Sequence, residues 1–331
     1  MKITFFSTQP YDKQFFIEHN KHFHYELEFF EMPLNAQTVS LVQDATVICV
    51  FVNDKVDAAI LAQLKEKGVE IIALRCAGFN NVDLQAADSL AIQVCRVPAY
   101  SPEAVAEHAM AMILTLNRKV HKAYNRVREQ NFSLQGLMGF DLYGKTVGVI
   151  GTGKIGKALC RILLGFGCNV LGFDLFVDRE LEAAGVQYLP LIELLQQADI
   201  ISLHSPLNDQ TRHMINSQTL KLMKKGVMII NTSRGALIDT RAVIEALKTC
   251  QVGYLGIDVY EQEEKLFFHD HSEDIIEDDI IQRLMGFPNV LVTAHQAFFT
   301  REAMDEIAET TLHNIHAILA GEAAELPGKL V

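Results

Sequence analysis

The chain has 331 residues, 49% of them hydrophobic, and a formal net charge of −12, enough for two domains of ordinary size with large cores. No apolar run reaches the roughly 18–20 residues of a membrane span, and the acidic balance argues against nonspecific nucleic-acid binding and against anionic membranes. Residues 1–6 run straight into a strand pattern with no signal peptide. The six cysteines (Cys49, Cys76, Cys95, Cys160, Cys168, Cys250) form no C-x-x-C pair, so buried free thiols in a reducing cytoplasm are expected and a metal site is not.

Residues 1–98 alternate short strands with helical patterns. Strands are predicted over 2–6, 26–30, 45–50, 70–74 and 92–96, with helices between them, the clearest over 56–67 and ended by Gly68. Together they make a smaller α/β layer structure. After the fourth strand comes Arg75-Cys76-Ala77-Gly78-Phe79-Asn80-Asn81-Val82-Asp83, in the place where α/β proteins bind ligands. On these residues alone it reads equally as an ordinary strand–helix connection with an Asx turn at Asn80-Asn81. Two prolines mark a boundary over 97–103, where Ser101 can cap a helix beginning at Pro102. One long helix is predicted from there roughly to Gln130. It is apolar at Ala106, Met110, Ile113, Leu114 and Leu116 and basic at Arg118, Lys119, Lys122, Arg126 and Arg128. The basic half is either solvated or faces another subunit.

Residues 146–174 carry the strongest local signal. Val147, Val149 and Ile150 read as a buried parallel strand. Gly151-Thr152-Gly153-Lys154-Ile155-Gly156 follows at once, then a helix with Ile155, Leu159, Ile162, Leu163 and Phe166 on one face, then a second strand closed by Asp174. A Gly-x-Gly-x-x-Gly between strand and helix, with an acid beyond the next strand, is the dinucleotide-binding fingerprint in its confirming context. Gly151 permits the tight turn, Gly153 lets a pyrophosphate reach the backbone, and Gly156 lets the helix pack on the sheet. The helix N-terminus offers N–H groups to phosphate. Asp174 can accept from both ribose hydroxyls and would repel a 2′-phosphate. Leu175, Phe176 and Val177 supply no cation, so NAD is expected over NADP.

The alternation then repeats. Helices are predicted over 191–197, 217–224, 240–248 and 279–285, and strands over 200–203, 227–230, 254–257 and 290–293. Six strands with crossovers make a doubly wound parallel sheet whose functional edge is the set of strand carboxyl ends. Gly151, Asp174, Ser205, Arg234, Asp258 and His295 each follow a different strand, so they can converge on one crevice. Singly, Arg234 could be a cap or an ion-pair partner, Glu263 a solvated acid beside Glu261 and Glu264, and His295 a structural histidine. Beside a nicotinamide they suggest an acid–base histidine, an orienting carboxylate and an anion-binding arginine, a set suited to hydride transfer on a 2-keto acid.

Over essentially its whole length the chain resembles the D-isomer-specific 2-hydroxyacid dehydrogenase family. The likeness is carried by GTGKIG (151–156), HSPLNDQTRHMIN (204–216), NTSRGALID (231–239), GIDVYEQEE (256–264) and VTAHQAFFT (292–300). It implies that Arg234, Glu263 and His295 are the catalytic residues. Lys154, Ile155, Ser205, Pro206, Thr211, Thr232, Ser233, Arg234 and Asp258 are then expected at the cofactor with the three glycines and Asp174. Thr211 stands where some members carry Asn. Cys76, Ala77 and Gly78 belong to the loop whose N–H groups hold substrate carboxylate in the family. Tyr100, Arg234, His295 and Phe299 complete the implied substrate contacts, while Phe298 is expected in the core.

The implied fold is a doubly wound (Rossmann) cofactor domain over 101–298, inserted in a smaller flavodoxin-like α/β substrate domain made of 1–100 and 299–331. The residues by themselves suggest a simple two-part split. The implied activity is reversible hydride transfer between NADH and pyruvate giving D-lactate, in fermentative NAD regeneration. The expected protein is a cytoplasmic homo-oligomer, dimer or tetramer, with a small-molecule substrate and neither nucleic acid nor membrane as partner. Two alternatives stand beside it. One is a family enzyme for a larger acid, such as D-2-hydroxyisocaproate or phosphoglycerate; the end at Val331, without a regulatory domain, weighs against the long phosphoglycerate enzymes. The other is an NAD-sensing interaction protein on the same fold, which turnover would separate from an enzyme.

Overall fold

In a computed structural model, which describes residues 1–323 and 326–331, the first hundred residues build a five-stranded sheet. Its strands are β1 (Lys2–Phe5), β2 (Glu26–Phe29), β3 (Val47–Val50), β4 (Ile71–Leu74) and β5 (Gln93–Arg96), all parallel, in the order β2-β1-β3-β4-β5. This is the flavodoxin-like order. VICV of β3 and IIAL of β4 are buried along their whole length, as a strand covered on both faces requires. The helices are α1 (Pro10–His19), α2 (Ala58–Glu66) and α3 (Leu84–Ser89). Asp57 caps α2 by accepting from the Ile60 N–H and Asp83 caps α3 by accepting from the Ala86 N–H. Gly68, at φ +86°, stops the chain after α2.

A second unit occupies Pro102–Phe298. It opens with α4 (Pro102–Arg118) and α5 (Val120–Arg128). The strands β6 (Thr146–Ile150), β7 (Asn169–Phe173), β8 (Gln187–Tyr188), β9 (Ile200–Leu203), β10 (Val227–Asn231), β11 (Val252–Ile257) and β12 (Val290–Val292) form a parallel sheet in the order β12-β11-β10-β9-β6-β7-β8. Its helices are α6 (Lys154–Gly165), α7 (Arg179–Ala183), α8 (Leu191–Gln197), α9 (Thr240–Lys248) and α10 (Asp279–Met285). The order reverses between β6 and β9, which makes the sheet doubly wound with its switch point beside the glycine fingerprint. Finally α11 (Arg301–Leu319) packs on α1, β4 and β5, so the first unit is Met1–Ser101 together with Phe299–Val331.

Several expectations are corrected. The long helix is two helices, broken at Lys119 (φ +52°). The break lets the chain after α5 return: Lys119 Nζ donates to the Gly136 and Met138 carbonyls, and the Asn117 side chain exchanges hydrogen bonds with the Phe140 backbone. Residues 217–224 form only one 3₁₀ turn, Thr219–Leu222. Asn216 Oδ1 accepts from the Gln218 and Thr219 amides, and Met223 is already extended toward β10. The sheet has seven strands rather than six, because β8 is two residues long and shows no periodicity. Five cysteines are buried, but Cys250 is exposed, in a left-handed turn between α9 and β11.

Candidate active site

The strands of the second unit end on one edge, and candidate functional side chains of that unit follow them there. Gly151 turns the chain out of β6 at φ +92°, where an added Cβ would lie 2.7 Å from the His204 carbonyl carbon. A Cβ on Gly156 would collide with the Gly151 carbonyl oxygen, so α6 can approach the turn only without one. At Gly153, by contrast, an added Cβ meets nothing within 4 Å. Gly153 is also the N-cap of α6 and supplies no side-chain cap, so the first-turn N–H groups of Lys154 and Ile155 remain available to an anion. Beside this edge the buried Thr232 hydroxyl has no hydrogen-bond partner among the described residues. The bare cradle, the uncapped helix and the orphaned hydroxyl fit a dinucleotide.

Asp174, at the end of β7, accepts from Thr152 N at 2.6 Å on Oδ2 and from Phe176 N at 3.2 Å on Oδ1. Arg179, the first cation after it in sequence, is paired with Glu182 at 2.6 Å. The loops after β9 and β10 are tied by Ser233 Oγ donating to the Ser205 carbonyl at 2.7 Å. Pro206 lies exposed beyond it. The Thr211 hydroxyl closes its own turn, donating to the Pro206 carbonyl and accepting from Asn208 N.

His295 follows β12 at φ +51°, a left-handed conformation that a residue with a Cβ holds only under constraint. Its Nδ1 lies 2.7 Å from Glu263 Oε1, both side chains less than a fifth exposed. Glu263 Oε2 accepts from Tyr260 N at 2.8 Å, so the carboxylate is fixed at both oxygens. The Phe268 ring stands 5.9 Å from the imidazole, and Phe268 is itself left-handed at φ +68°. Arg234 follows β10, half-buried. Its Nη1 donates to the Ser233 carbonyl at 2.7 Å, and among the described residues it enters no ion pair. A second histidine, His204, follows β9; burial pushes it down to about 4, so it is neutral at ordinary pH.

Asp258, expected at the cofactor, is fully buried and braces the segment carrying His295. Thr293 Oγ1 and Gln296 N donate to its Oδ1 and Ala297 N to its Oδ2, while its carbonyl accepts from His295 N. Burial raises this carboxyl, but hydrogen bonds from His108, Thr293 and the two amides outweigh that and hold it below the usual range. Nothing in the local sequence marked Asp258, Thr293 and His108 as the brace of the histidine loop, because they come from three separate elements.

In the first unit, the 75–83 loop leaves β4 with Cys76 buried and its Sγ donating to the Gly78 carbonyl at 3.2 Å. Arg96 Nη1 donates to the Ala77 carbonyl at 2.5 Å. Among the described residues the N–H groups of Ala77 and Gly78 donate to no protein acceptor. Asn81 makes no Asx turn; its Nδ2 bonds the carbonyls of Phe51 and Asp54. Tyr100 is half-buried. Phe299 is 48% exposed, its ring edge-on to Tyr11 at 4.6 Å, and Phe298 is buried.

Residues 110–297 match the family described as D-isomer specific 2-hydroxyacid dehydrogenase, NAD binding domain. The chain belongs to the D-isomer specific 2-hydroxyacid dehydrogenases. It is 52% identical to D-lactate dehydrogenase of Escherichia coli over 331 residues, all of both chains. The apo-structure of D-lactate dehydrogenase from Escherichia coli superimposes with a TM-score of 0.92 over 100% of both chains, at 50% identity. D-lactate dehydrogenase from Aquifex aeolicus, complexed with NAD and lactic acid, matches with a TM-score of 0.86 over 97% of this chain and 96% of that one, at 36% identity. The protein is accordingly an NAD-dependent oxidoreductase of this family, with a small-molecule substrate. Among the described residues no cluster could hold a metal ion.

Proposed function

We propose that this enzyme interconverts pyruvate and D-lactate in fermentative NAD regeneration. The observation that carries the chemistry is the His295–Glu263 pair. With Nδ1 turned to Glu263, Nε2 is the nitrogen that exchanges a proton with substrate. The bound cofactor supplies hydride to C2 of the keto acid or takes it from the hydroxy acid. Protonated His295 donates from Nε2 to the carbonyl oxygen as negative charge builds there, and Glu263 stabilises the imidazolium and holds the ring. In the oxidative direction neutral His295 takes the hydroxyl proton. Arg234, with no carboxylate of its own, supplies a planar fork for the substrate carboxylate and polarises the carbonyl. The free amides of Ala77 and Gly78 are the first unit's candidate substrate contacts, with Cys76, Tyr100 and Phe299 beside them in the assignment. Lys154, Ile155, Ser205, Pro206, Thr211, Thr232, Ser233, Arg234 and Asp258 are assigned to the cofactor with the three glycines and Asp174.

Pyruvate is favoured because the full-length relative from Escherichia coli is a D-lactate dehydrogenase. A cytoplasmic setting is supported by the cysteines, none of which is placed in a disulfide among the described residues; among the described residues no helix is long and apolar enough to cross a membrane. A homo-oligomer, dimer or tetramer, is supported by the exposed apolar side chains of α5 and the segment after it, Tyr124, Phe132, Leu134, Met138 and Tyr143.

The test is NADH oxidation against pyruvate, 2-ketobutyrate and 2-ketoisocaproate, with product chirality determined, in the parent, Phe299→Ala and His295→Ala. The parent should favour pyruvate and give D-lactate, and Phe299→Ala should relax exclusion of the bulkiest acid. His295→Ala should lose activity by a factor on the order of 10²–10⁴ in both directions. A parent that prefers 2-ketoisocaproate would overturn the lactate assignment and leave the family standing.

A further inference from the structure

Asp174 does not stand alone at the end of β7. Its Oδ2 accepts from Thr152 N at 2.6 Å and lies 3.3 Å from Thr152 Oγ1. Thr152 Oγ1 accepts in turn from Tyr188 Oη at 2.9 Å, and Tyr188 Oη accepts from Asp178 N at 3.2 Å. A hydroxyl that accepts one hydrogen bond has its own proton to give. The chain therefore runs one way, from the Asp178 amide through two hydroxyls to one carboxylate oxygen.

The elements around this chain are shaped to allow it. Strand β8 is only two residues long, and its second residue is Tyr188, in register with Gly172 of β7. A Cβ on Gly172 would press on Tyr188 Cε1 at 3.2 Å and Thr152 Cγ2 at 3.4 Å, so the glycine leaves the passage through which ring and hydroxyl meet. Thr152 is 4% exposed. Asp178, which begins the chain, is fixed by Lys157 at 2.8 Å and caps α7 through the Glu180 and Leu181 amides.

We infer that Thr152 and Tyr188 are positioning residues for cofactor choice: they hold one oxygen of Asp174 inward and present the other to the adenosine ribose. The inference rests on the assignment of Asp174 to that ribose. Thr152 occupies the second position of the glycine fingerprint, and Tyr188 reaches it from the far edge of the sheet. Freed of this hold, the carboxylate could rotate away from a 2′-phosphate, and the discrimination that a fixed negative charge gives would weaken.

The experiment measures dissociation constants of NADH and NADPH by calorimetry on the full chain, with kinetics alongside. The variants are Thr152→Val and Tyr188→Phe, both near-isosteric, with Thr152→Ser as the conservative partner and Asp174→Ala as the reference. Thr152→Val and Tyr188→Phe should each weaken NADH binding by about three- to tenfold, the worth of one hydrogen bond to a charged group or a little less. NADPH binding should weaken less, so the preference falls, while kcat stays within about twofold. Thr152→Ser should restore the parent values. Unchanged constants, or equal losses for both cofactors, would overturn the inference; if Asp174→Ala still abolishes the preference, the role of Asp174 survives. An Asp174→Ala enzyme that keeps its preference would overturn both.

Discussion

Two histidines stand at the same sheet edge in different surroundings. His295 has a carboxylate 2.7 Å from Nδ1. Among the described residues His204 has only the Ser202 hydroxyl, at 2.8 Å from Nε2, and its buried Nδ1 has no partner there. Burial pushes His204 from 6.5 down to about 4. A group whose folded value is depressed contributes stability above its unfolded value and loses it as pH falls toward the folded one. The protein should therefore lose stability between about pH 6.5 and 4 partly through this side chain. Urea midpoints taken across that range should fall less steeply in His204→Asn than in the parent. Parallel slopes would mean that other groups account for the acid limb.

At the scale of elements, the start of α6 separates what the fold needs from what the ligand needs. An alanine at Gly156 would strike the Gly151 carbonyl, so Gly156→Ala should fold poorly. Gly153 has an ordinary φ of −61° and nothing within 4 Å of its missing Cβ. Gly153→Ala should therefore keep the parent melting temperature while weakening NADH binding by about tenfold or more, because the methyl fills space assigned to pyrophosphate. Equal losses in both quantities would make Gly153 a structural glycine. This turn was legible in the sequence because strand, glycines, helix and acid lie in one contiguous stretch with two different periodicities. From the residues alone, His295 and Arg234 were legible only as residues following strands and Glu263 only as one of three neighbouring acids; the family resemblance carried their assignment as a set. The Asp258 brace was not legible, nor was Tyr188, because a two-residue strand carries no alternation and a buried carboxylate looks in sequence like any other. The split between α4 and α5 was hidden for another reason: Lys119 is an unremarkable helix former whose left-handed turn is imposed by a segment about twenty residues later.

At the scale of the whole molecule, α5 and its returning segment present an unusual surface. Phe132, Leu134, Met138 and Tyr143 are each more than 70% exposed. Yet the segment is well held: Arg126 Nη1 donates to the Gln135 carbonyl at 2.7 Å, and Lys119 Nζ to those of Gly136 and Met138. Apolar side chains presented on a fixed backbone suit a stable contact with a second copy better than a solvated loop. Sedimentation should give a mass that is a multiple of the 37.0 kDa chain. Phe132→Ser with Leu134→Ser should lower it; a parent that sediments as a single chain would leave this surface unexplained.

The first unit is closed by residues from the far end of the chain, and this has a consequence for biosynthesis. Gly328 accepts from the Arg96 amide, Leu330 donates to the Val94 carbonyl, and Val331 accepts from the Val94 amide. These bonds complete the outer side of β5, whose inner side pairs with β4. A ribosome adding roughly 5–20 residues per second takes on the order of ten to fifty seconds to pass from the end of β5 to these residues. During that interval the inserted unit is synthesised strand by strand and can fold, while β5 remains an open edge that a neighbouring nascent chain can occupy. Polysomes translating this message are where that edge is open to mispairing, and a chaperone that shelters the strand acts before the first unit is complete.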